Sequence, residues 1–452
     1  MEKVLSLILA AGKGTRMKSD LIKVLHNVGG KSMIQHVVDN VMDFSSRIAV
    51  VIGYQGEKVK KSIDSDKEVS FYYQEEQLGT GHAVLQAKKE LEEFDGTVLV
   101  LFGDTPLLRE ESLKRLFKKH QEEKAACTVM TAIVENPGSY GRIIRDDDNN
   151  LTAIVEEKDA SPAEKRIREI NTGVCVFKSN LLLEALDNID NDNAQGEYYL
   201  TDAIAYLSQR NSKVLPLIIE DNREIIGIND RVNLAKAEKV IRERTNIYHM
   251  NNGVTIIDPD NTYIDSLVEI GQDTVIYPYT YIEGNSKIAS NTIIASHCRI
   301  VNSQIGNNAN INDHCIITDS SLKNRVNIGP FAYIRPGCMV EDDAKVGDFV
   351  ELKKASIGVG TKVPHLSYVG DANIGTGTNI GAGTITANYD GENKHKTSIG
   401  NDVFIGSNTT LIAPVNVGNR GRTGAGSVVT KDIDEETTVL GVPARKYEKN
   451  KN

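Results

Sequence analysis

IDSLVEIGQDTVIYPYTYIEGNSKIASNTIIASHCRI, residues 264–300, places an isoleucine at every sixth position: 264, 270, 276, 282, 288, 294 and 300. An amphipathic helix repeats every 3.6 residues and a half-buried strand every 2, so neither accounts for this spacing. A six-residue repeat of inward aliphatics marks a parallel β-helix. Each hexad is one short strand plus its corner, and stacked coils bury the aliphatic column. The ladder continues after a one-residue slip at Ile305, Ile311 and Ile317, and after another at Leu322, Ile328, Ile334, Val340, Val346 and Leu352. Traces persist at Ile357 and Val363, at Ile374 and Ile380, and at Ile399, Ile405, Leu411 and Val417. The repeat breaks at TANYDGENKHK, 386–396, a polar run that has to leave the prism as a loop. Loops on rigid scaffolds are natural carriers of function.

Upstream the period changes. Strand-like runs at 4–9, 48–52, 69–74, 98–102, 126–134, 174–178 and 213–219 alternate with helical patterns at 32–43, 79–92, 110–120 and 200–210. This alternation predicts an α/β domain around a mainly parallel sheet. DRVNLAKAEKVIRERT, 230–245, reads as a connecting helix. The expected division is 1–229, a linker helix over 230–250, and a β-helix over 251–452.

Composition narrows the function classes. A length of 452 residues suits two or three domains, and a net charge of -10 argues against nucleic acid as a partner. Any anionic substrate therefore needs a local cationic patch. The five cysteines form no CxxC pair, which argues against a zinc site or a disulfide framework and suits a reducing cytoplasm. No apolar run approaches the roughly 18 residues of a membrane span.

The cationic patch lies in LILAAGKGTRMKSDLIK, residues 7–23. A short apolar strand runs into a loop with Gly12 and Gly14, behind which Lys13, Arg16, Lys18 and Lys23 crowd. Such a loop offers backbone N–H groups and cations to a polyphosphate. It is neither a Walker loop nor a dinucleotide fingerprint, because Met17 stands where the latter needs its third glycine. Asp104 closes the apolar strand VLVLF, where ligands of open α/β sheets bind. A lone hard carboxylate beside phosphates is a typical Mg²⁺ anchor. In QEEQLGTGHA, 74–83, Gly79 permits close approach of a flat base, Thr80 is expected to cap the helix it opens, and Gln74 can pair with a base edge.

These residues resemble the sugar-nucleotide pyrophosphorylases, through Leu9-Ala10-Ala11-Gly12-Lys13-Gly14-Thr15-Arg16-Met17 and the downstream Lys23. With LGTGHA, FGDTPL, SYGRIIR, IVEEKDA, INTGV, QGEYYLTD and GIND, and with the β-helix behind, residues 4–435 resemble the family of bacterial bifunctional N-acetylglucosamine-1-phosphate uridyltransferases/glucosamine-1-phosphate acetyltransferases. The resemblance implies a Rossmann-like nucleotidyltransferase domain followed by a left-handed parallel β-helix, with UTP and acetyl-CoA as co-substrates, Mg²⁺ as cofactor and a homotrimer in the cytoplasm. It implies Arg16 and Lys23 on the UTP phosphates, with Leu9, Ala10, Ala11 and Gly12 in the nucleotide loop. It implies Gln74, Gly79 and Thr80 on uracil, and Asp104 and Asn229 on Mg²⁺. Gly141, Glu156 and Asn171, with Thr201, are similar to the groups that hold the N-acetylated sugar.

Acetyl transfer to an amine needs a base, and His365 in VPHLSYVGD has the right unperturbed range. Glu351, fourteen residues earlier, is expected to orient its imidazole. The resemblance implies Arg335 and Lys353 on the sugar phosphate, further sugar and loop contacts from Tyr368, Asn379, Asn388, Tyr389 and Lys394, and Ala382, Ser407 and Ala425 along the acetyl-CoA arm together with Asn388 and Tyr389. Three features depart from the family pattern. Ile22 replaces the usual proline before Lys23, which is expected to loosen that lysine. Pro364 precedes His365 and is expected to shift the base slightly. The tail VGNRGRTGAGSVVTKDI leaves Arg445, Arg420 and Arg422 all open as the CoA-phosphate contact. Two alternatives stand beside the bifunctional enzyme: a nucleotidyltransferase whose β-helix serves only assembly or regulation, and a non-catalytic assembly that has kept the fold.

Overall fold

The structure, a computed structural model, describes residues 3–447. It separates into two compact units that divide between Ile241 and Arg242. The division falls inside a helix, Arg231–Asn251. In its last turns Asn246, fully buried, donates from Nδ2 to the carbonyls of Pro259 and Thr262.

In the first unit the strand order is Val214–Ile218, Cys127–Ile133, Glu169–Lys178, Thr97–Phe102, Val4–Ala10, Arg47–Ile52 and Val69–Tyr73. Val4–Ala10 is buried at every residue and pairs in parallel with strands on both sides. That explains its unbroken apolar run. The sheet is mixed, because Glu169–Lys178 runs antiparallel to both its neighbours. This strand starts five residues earlier than its apolar part suggests. Its polar beginning, Glu169 and Asn171, follows no apolar pattern, and its register shifts between Asn171 and Cys175. Gly173, at φ +81°, sits in that irregularity, where a Cβ would come within 2.1 Å of the Phe102 ring. The predicted helix over 79–92 is two helices, Thr80–Leu85 and Lys88–Glu92, separated at the buried Ala87. The hairpin Arg142–Arg145/Leu151–Val155 and the helices Gly56–Ser62 and Ser179–Leu186 were not legible as separate elements.

The second unit is a left-handed parallel β-helix with three sheet faces of 12, 10 and 9 strands. Ile276 pairs with Ile294 on one face and Ile282 with Ile300 on the next, and all four are fully buried. The slips in the ladder are shortened corners. Ile270 pairs with Ile288, but Ile288 pairs with Ile305, one residue sooner, so the strand register survives. The interval between the partners Ile374 and Ile399 holds the 386–396 loop as an outward excursion.

One corner of the prism repeatedly takes left-handed backbone, at Tyr279, His297, His314, Phe331, Phe349 and Leu366, with φ between 49° and 60°. Side chains resist that conformation by roughly 1–2 kcal/mol per residue. Stacking offsets part of the cost: ring centroids lie 5.0, 4.7, 4.8 and 5.2 Å apart from Tyr279 to Phe349. Immediately before this corner Gly347 has no room for a side chain. A Cβ on Gly347 would lie 1.8 Å from the Pro364 carbonyl oxygen. Gly347→Ala is therefore expected to destabilise the β-helix by about 1–3 kcal/mol through overpacking, read as a lower denaturant midpoint, whereas Gly12→Ala, with nothing within 4 Å of its Cβ, leaves the midpoint unchanged.

Candidate active sites

The first site forms at the carboxyl ends of the parallel strands of the first unit. A large lobe of about 630 Å³ is lined by Arg16, Gly141, Glu156, Asn171, Thr201 and Asn229, among others. A smaller lobe of about 220 Å³ is lined by Leu9, Ala10, Ala11, Gly12, Lys23, Gln74 and Gly79. Thr80, Phe102, Asp104 and Glu197 line both, so Asp104 stands where the lobes meet.

Lys23 is aimed at that junction. Its Nζ lies 2.5 Å from Asp104 Oδ2 and 3.1 Å from Asn229 Oδ1. Asn229 arrives there because the Ile228 N–H bonds the Asp104 carbonyl at 3.0 Å. Gly14, at φ +65°, makes room for the lysine: a Cβ there would come within 2.4 Å of Lys23 Cβ. Ile22 does not leave Lys23 loose. Its φ of -58° falls within the range a proline ring imposes, and its side chain, 1% exposed, is held in the core. Burial supplies the restraint that the ring supplies elsewhere. Arg231 ties the preceding loop down, with Nε 3.3 Å from the Met17 carbonyl.

Gln74 is buried and donates its amide to the Gly79 carbonyl and to His82 Nδ1, with no hydrogen bond on its Oε1 among the described residues. Gly79, at φ +108°, must be a glycine, because a Cβ would meet the Tyr198 carbonyl oxygen at 2.5 Å. Thr80 does not cap its own helix. Its hydroxyl accepts the Leu200 N–H at 3.0 Å, which joins this turn to the helix carrying Thr201.

In the large lobe, Thr201 donates to Glu156 Oε1 at 3.3 Å. Burial pushes the Glu156 carboxyl above its usual range, with Asp202 and Asp159 adding to the effect and the Thr201 hydrogen bond opposing it. A Cβ on Gly141 would lie 3.0 Å from Ile154 Cγ2 and 3.4 Å from the Glu156 carboxylate oxygens. Asn171 holds its Oδ1 on the Gly173 N–H at 2.9 Å.

The second site is a corner of the β-helix. His365 Nδ1 lies 2.5 Å from Asp348 Oδ1. Glu351, the carboxylate expected on this ring, is elsewhere: its Oε1 accepts Arg335 Nη1 at 2.8 Å. The reason is register. The coil is seventeen residues long here, so Asp348 is the Cα partner of His365, and Glu351 is that of Tyr368 on the next face. Counting hexads misses this, although the spacing of Val346 and Val363 already carries it. Pro364 has not displaced the base, since it lies level with Gly347 within that register.

The other candidates lie on the same and neighbouring coils. Lys353 lowers the pKa of Lys394 by facing it, a cationic pair fit for an anion. Asn388 Nδ2 bonds Asp371 Oδ2 at 2.5 Å. The loop is closed by the His395–Asp390 contact at 2.6 Å and a bridge between Tyr389 and Lys394, while the Tyr389 hydroxyl turns onto the Gly391 carbonyl. Gly370 leaves the Tyr368 ring its space. Asn379 pairs with Lys362 and Phe404, on the flat face before the corner. Ala382, Ser407 and Ala425 stack on successive coils, because Ile380 pairs with Ile405 and Phe404 with Arg422. Arg445 pairs with Leu440 in the antiparallel last strand, and Leu440 reaches the Gly424 position beside Ala425. Arg420 is committed to Glu436 at 2.6 Å.

Sequence reasoning missed Asp348, Asp371, Glu197 and Asp202. Asp202 is raised to about 6 by burial, with Asp190 and Asp159 contributing. A carboxyl whose folded pKa is raised ionises at a cost to the folded state. Both states are protonated below about pH 4, and the penalty grows as pH rises through about 6. Asp202→Asn is expected to raise the melting temperature at pH 7.5 and to converge with the parent near pH 4 in a pH series of thermal melts.

Comparison with known proteins extends over the whole chain. The nucleotidyl transferase family matches residues 5–226, and the bacterial transferase hexapeptide family (six repeats) matches residues 267–302. The bifunctional protein GlmU of Listeria welshimeri is 48% identical over 449 residues, 99% of this chain and 97% of its own. That of Listeria monocytogenes serotype 4a is 47% identical over 452 residues, covering 100% and 98%. That of Brevibacillus brevis is 46% identical over 452 residues, covering 100% and 97%.

Proposed function

This chain belongs to the bifunctional GlmU family, and from that premise we propose that it makes UDP-N-acetylglucosamine in two steps. Acetyl-CoA acetylates glucosamine-1-phosphate on the β-helix, and the first unit then joins the product to UTP with release of pyrophosphate. The observations that carry the bifunctional reading over a monofunctional nucleotidyltransferase come from the β-helix: an imidazole seated on a carboxylate, and a pair of facing lysines. A β-helix used only for assembly has no need of that arrangement.

In the uridyltransferase step the sugar phosphate attacks the α-phosphorus of UTP. Alignment and charge neutralisation do most of the work, and no nucleophilic side chain is required. Leu9, Ala10, Ala11 and Gly12 would carry the phosphates past the strand end, with Gln74, Gly79 and Thr80 on uracil. Gly141, Glu156, Asn171 and Thr201 would hold the sugar, and Arg16 and Lys23 would neutralise the anions. Asp104 and Asn229 fit Mg²⁺: they are hard oxygen donors whose atoms already converge on one cationic point, Lys23 Nζ. Two protein oxygens with the rest of the shell from phosphates and water is how Mg²⁺ is usually held. Bound there, the metal would supply charge neutralisation at the reacting phosphate.

In the acetyl-transfer step His365 Nε2 takes the proton from the sugar ammonium. The freed amine attacks the thioester carbonyl, the C–N bond forms and the C–S bond breaks; the nitrogen's second proton passes to the departing sulfur, and CoA leaves as the thiol. Arg335, Lys353 and Lys394 would bind the sugar phosphate, with Tyr368, Asn379, Asn388 and Tyr389 on the sugar and loop. The Ala382–Ser407–Ala425 column would take the acetyl-CoA arm, with Arg445 at its end for the CoA phosphate. A homotrimer would place neighbouring prisms around such an open corner. No described helix is long and apolar enough to cross a membrane, and we place both reactions in the cytoplasm.

Paired assays test the assignment. His365→Ala is expected to lower thiol release by about 10²–10⁴-fold while sparing pyrophosphate release. Asp104→Ala is expected to lower pyrophosphate release by about 10²-fold or more and to spare thiol release. Loss of both activities from either folded variant contradicts the assignment of separate sites.

A further inference from the structure

We infer that Asp348 is the positioning residue for the His365 base, while Glu351 acts through Arg335 on the sugar phosphate side. The inference rests on the acetyltransferase reading of this corner and assigns a residue that reading does not contain. Its basis is the coil register. Asp348 and His365 are Cα partners on adjacent coils, with Oδ1 and Nδ1 2.5 Å apart. An ionised carboxylate only accepts hydrogen bonds, so Nδ1 must be the donor. That selects the tautomer whose Nε2 carries the free lone pair, the form a general base requires.

The surrounding backbone leaves the ring little choice of position. The His365 carbonyl accepts the Gly383 N–H at 3.2 Å and the Ser367 hydroxyl at 2.8 Å. The Asp348 carbonyl accepts the Leu366 N–H at 3.0 Å. Just before each of them, Gly347 faces Pro364, where even a methyl group on the glycine would collide with the Pro364 carbonyl. The register also excludes competitors. Asn327 pairs with Lys345, which puts Pro330 level with Asp348 on one side. Lys362 pairs with Asn379, which puts Ala382 level with His365 on the other. Among the charged groups, Asp348 faces the imidazole directly, and Lys345 acts on Asp348 from its own strand. The hydrogen bond from His365 is the largest influence holding the Asp348 carboxyl below its usual range, so the acceptor is ionised wherever the base works. Glu351 faces the next side of the prism, and its carboxylate is engaged by a guanidinium.

The anion also favours the imidazolium formed when the amine is deprotonated, so a variant without it turns over more slowly.

The experiment uses the full chain with ¹³C,¹⁵N-labelled histidine, and compares the parent with Asp348→Ala, Asp348→Leu and Glu351→Gln. Ring chemical shifts of His365, assigned with His365→Ala and recorded at alkaline pH, report its tautomer without substrate. Thiol release from acetyl-CoA and glucosamine-1-phosphate is followed, and pyrophosphate release serves as the control for an intact protein. The parent should show the Nδ1–H tautomer. Asp348→Ala and Asp348→Leu should each move the ring toward the Nε2–H tautomer and lower thiol release by roughly 10-fold or more. Glu351→Gln should leave the ring signals in place and raise KM for glucosamine-1-phosphate. A tautomer unmoved by both Asp348 variants, or moved by Glu351→Gln instead, overturns the inference. If the parent releases no thiol, the acetyltransferase reading fails, while the ring signals still decide whether Asp348 governs His365. Should Asp348→Ala lose pyrophosphate release as well, Asp348→Leu, closer in size and without an acceptor, carries the test.

Discussion

Parallel strand pairing in strict register is the constraint on which everything else in this protein rests. In the β-helix each short strand finds its backbone partners only in the coils above and below. One residue's level therefore dictates its neighbours' level along the whole prism. Ile276 stands on Ile294, and the same rule stands His365 on Asp348 and Ser407 between Ala382 and Ala425. The aliphatic column and the chemical column are two faces of one arrangement. A corner that loses a residue, as between Ile288 and Ile305, changes the length of chain between levels without disturbing the levels.

The two sites draw on different physics. The cleft of the first unit lies at strand ends, and Lys23 and Asp104 are only 15% and 18% exposed there. Charges so placed interact strongly, and the site can neutralise a triphosphate in surroundings that screen little. The corner of the β-helix is open, with His365 52% and Asp348 36% exposed. An ion pair in that setting contributes little to stability. The value of Asp348 lies in fixing which nitrogen holds the proton. Precision there comes from the strand register that sets Asp348 level with His365 rather than from burial.

Much of the architecture was legible because it is periodic. Seven isoleucines at one spacing leave no other fold, and an apolar run ending in Asp104 announces a strand end facing a crevice. What periodicity does not carry was harder to read. The polar half of Glu169–Lys178 forms the wall of the cleft, so its pattern answers to a ligand instead of a core. Ile22 read as a missing proline, yet its backbone takes a proline-like φ because the core grips its side chain. Glu351 read as the partner of His365 because fourteen residues is a little over two hexads. A seventeen-residue coil awards that place to Asp348.

By itself the sequence determined the two periods, hence the two kinds of unit, and the residue types able to bind phosphate, hold Mg²⁺ or accept a proton. These follow from local spacing and side-chain chemistry, which any reader of the chain possesses. Only the tertiary structure decided which of those groups meet. Asp104 and Asn229 are far apart in the chain, and a backbone hydrogen bond from Ile228 brings them to one point. Asp348 and Glu351 are three residues apart, and the corner between them sends one to the imidazole and the other to a guanidinium. Contact depends on how long each coil is and where the chain turns. The lengths are written in the chain, but the level at which one coil pairs with the next is set by their packing, which no single repeat contains.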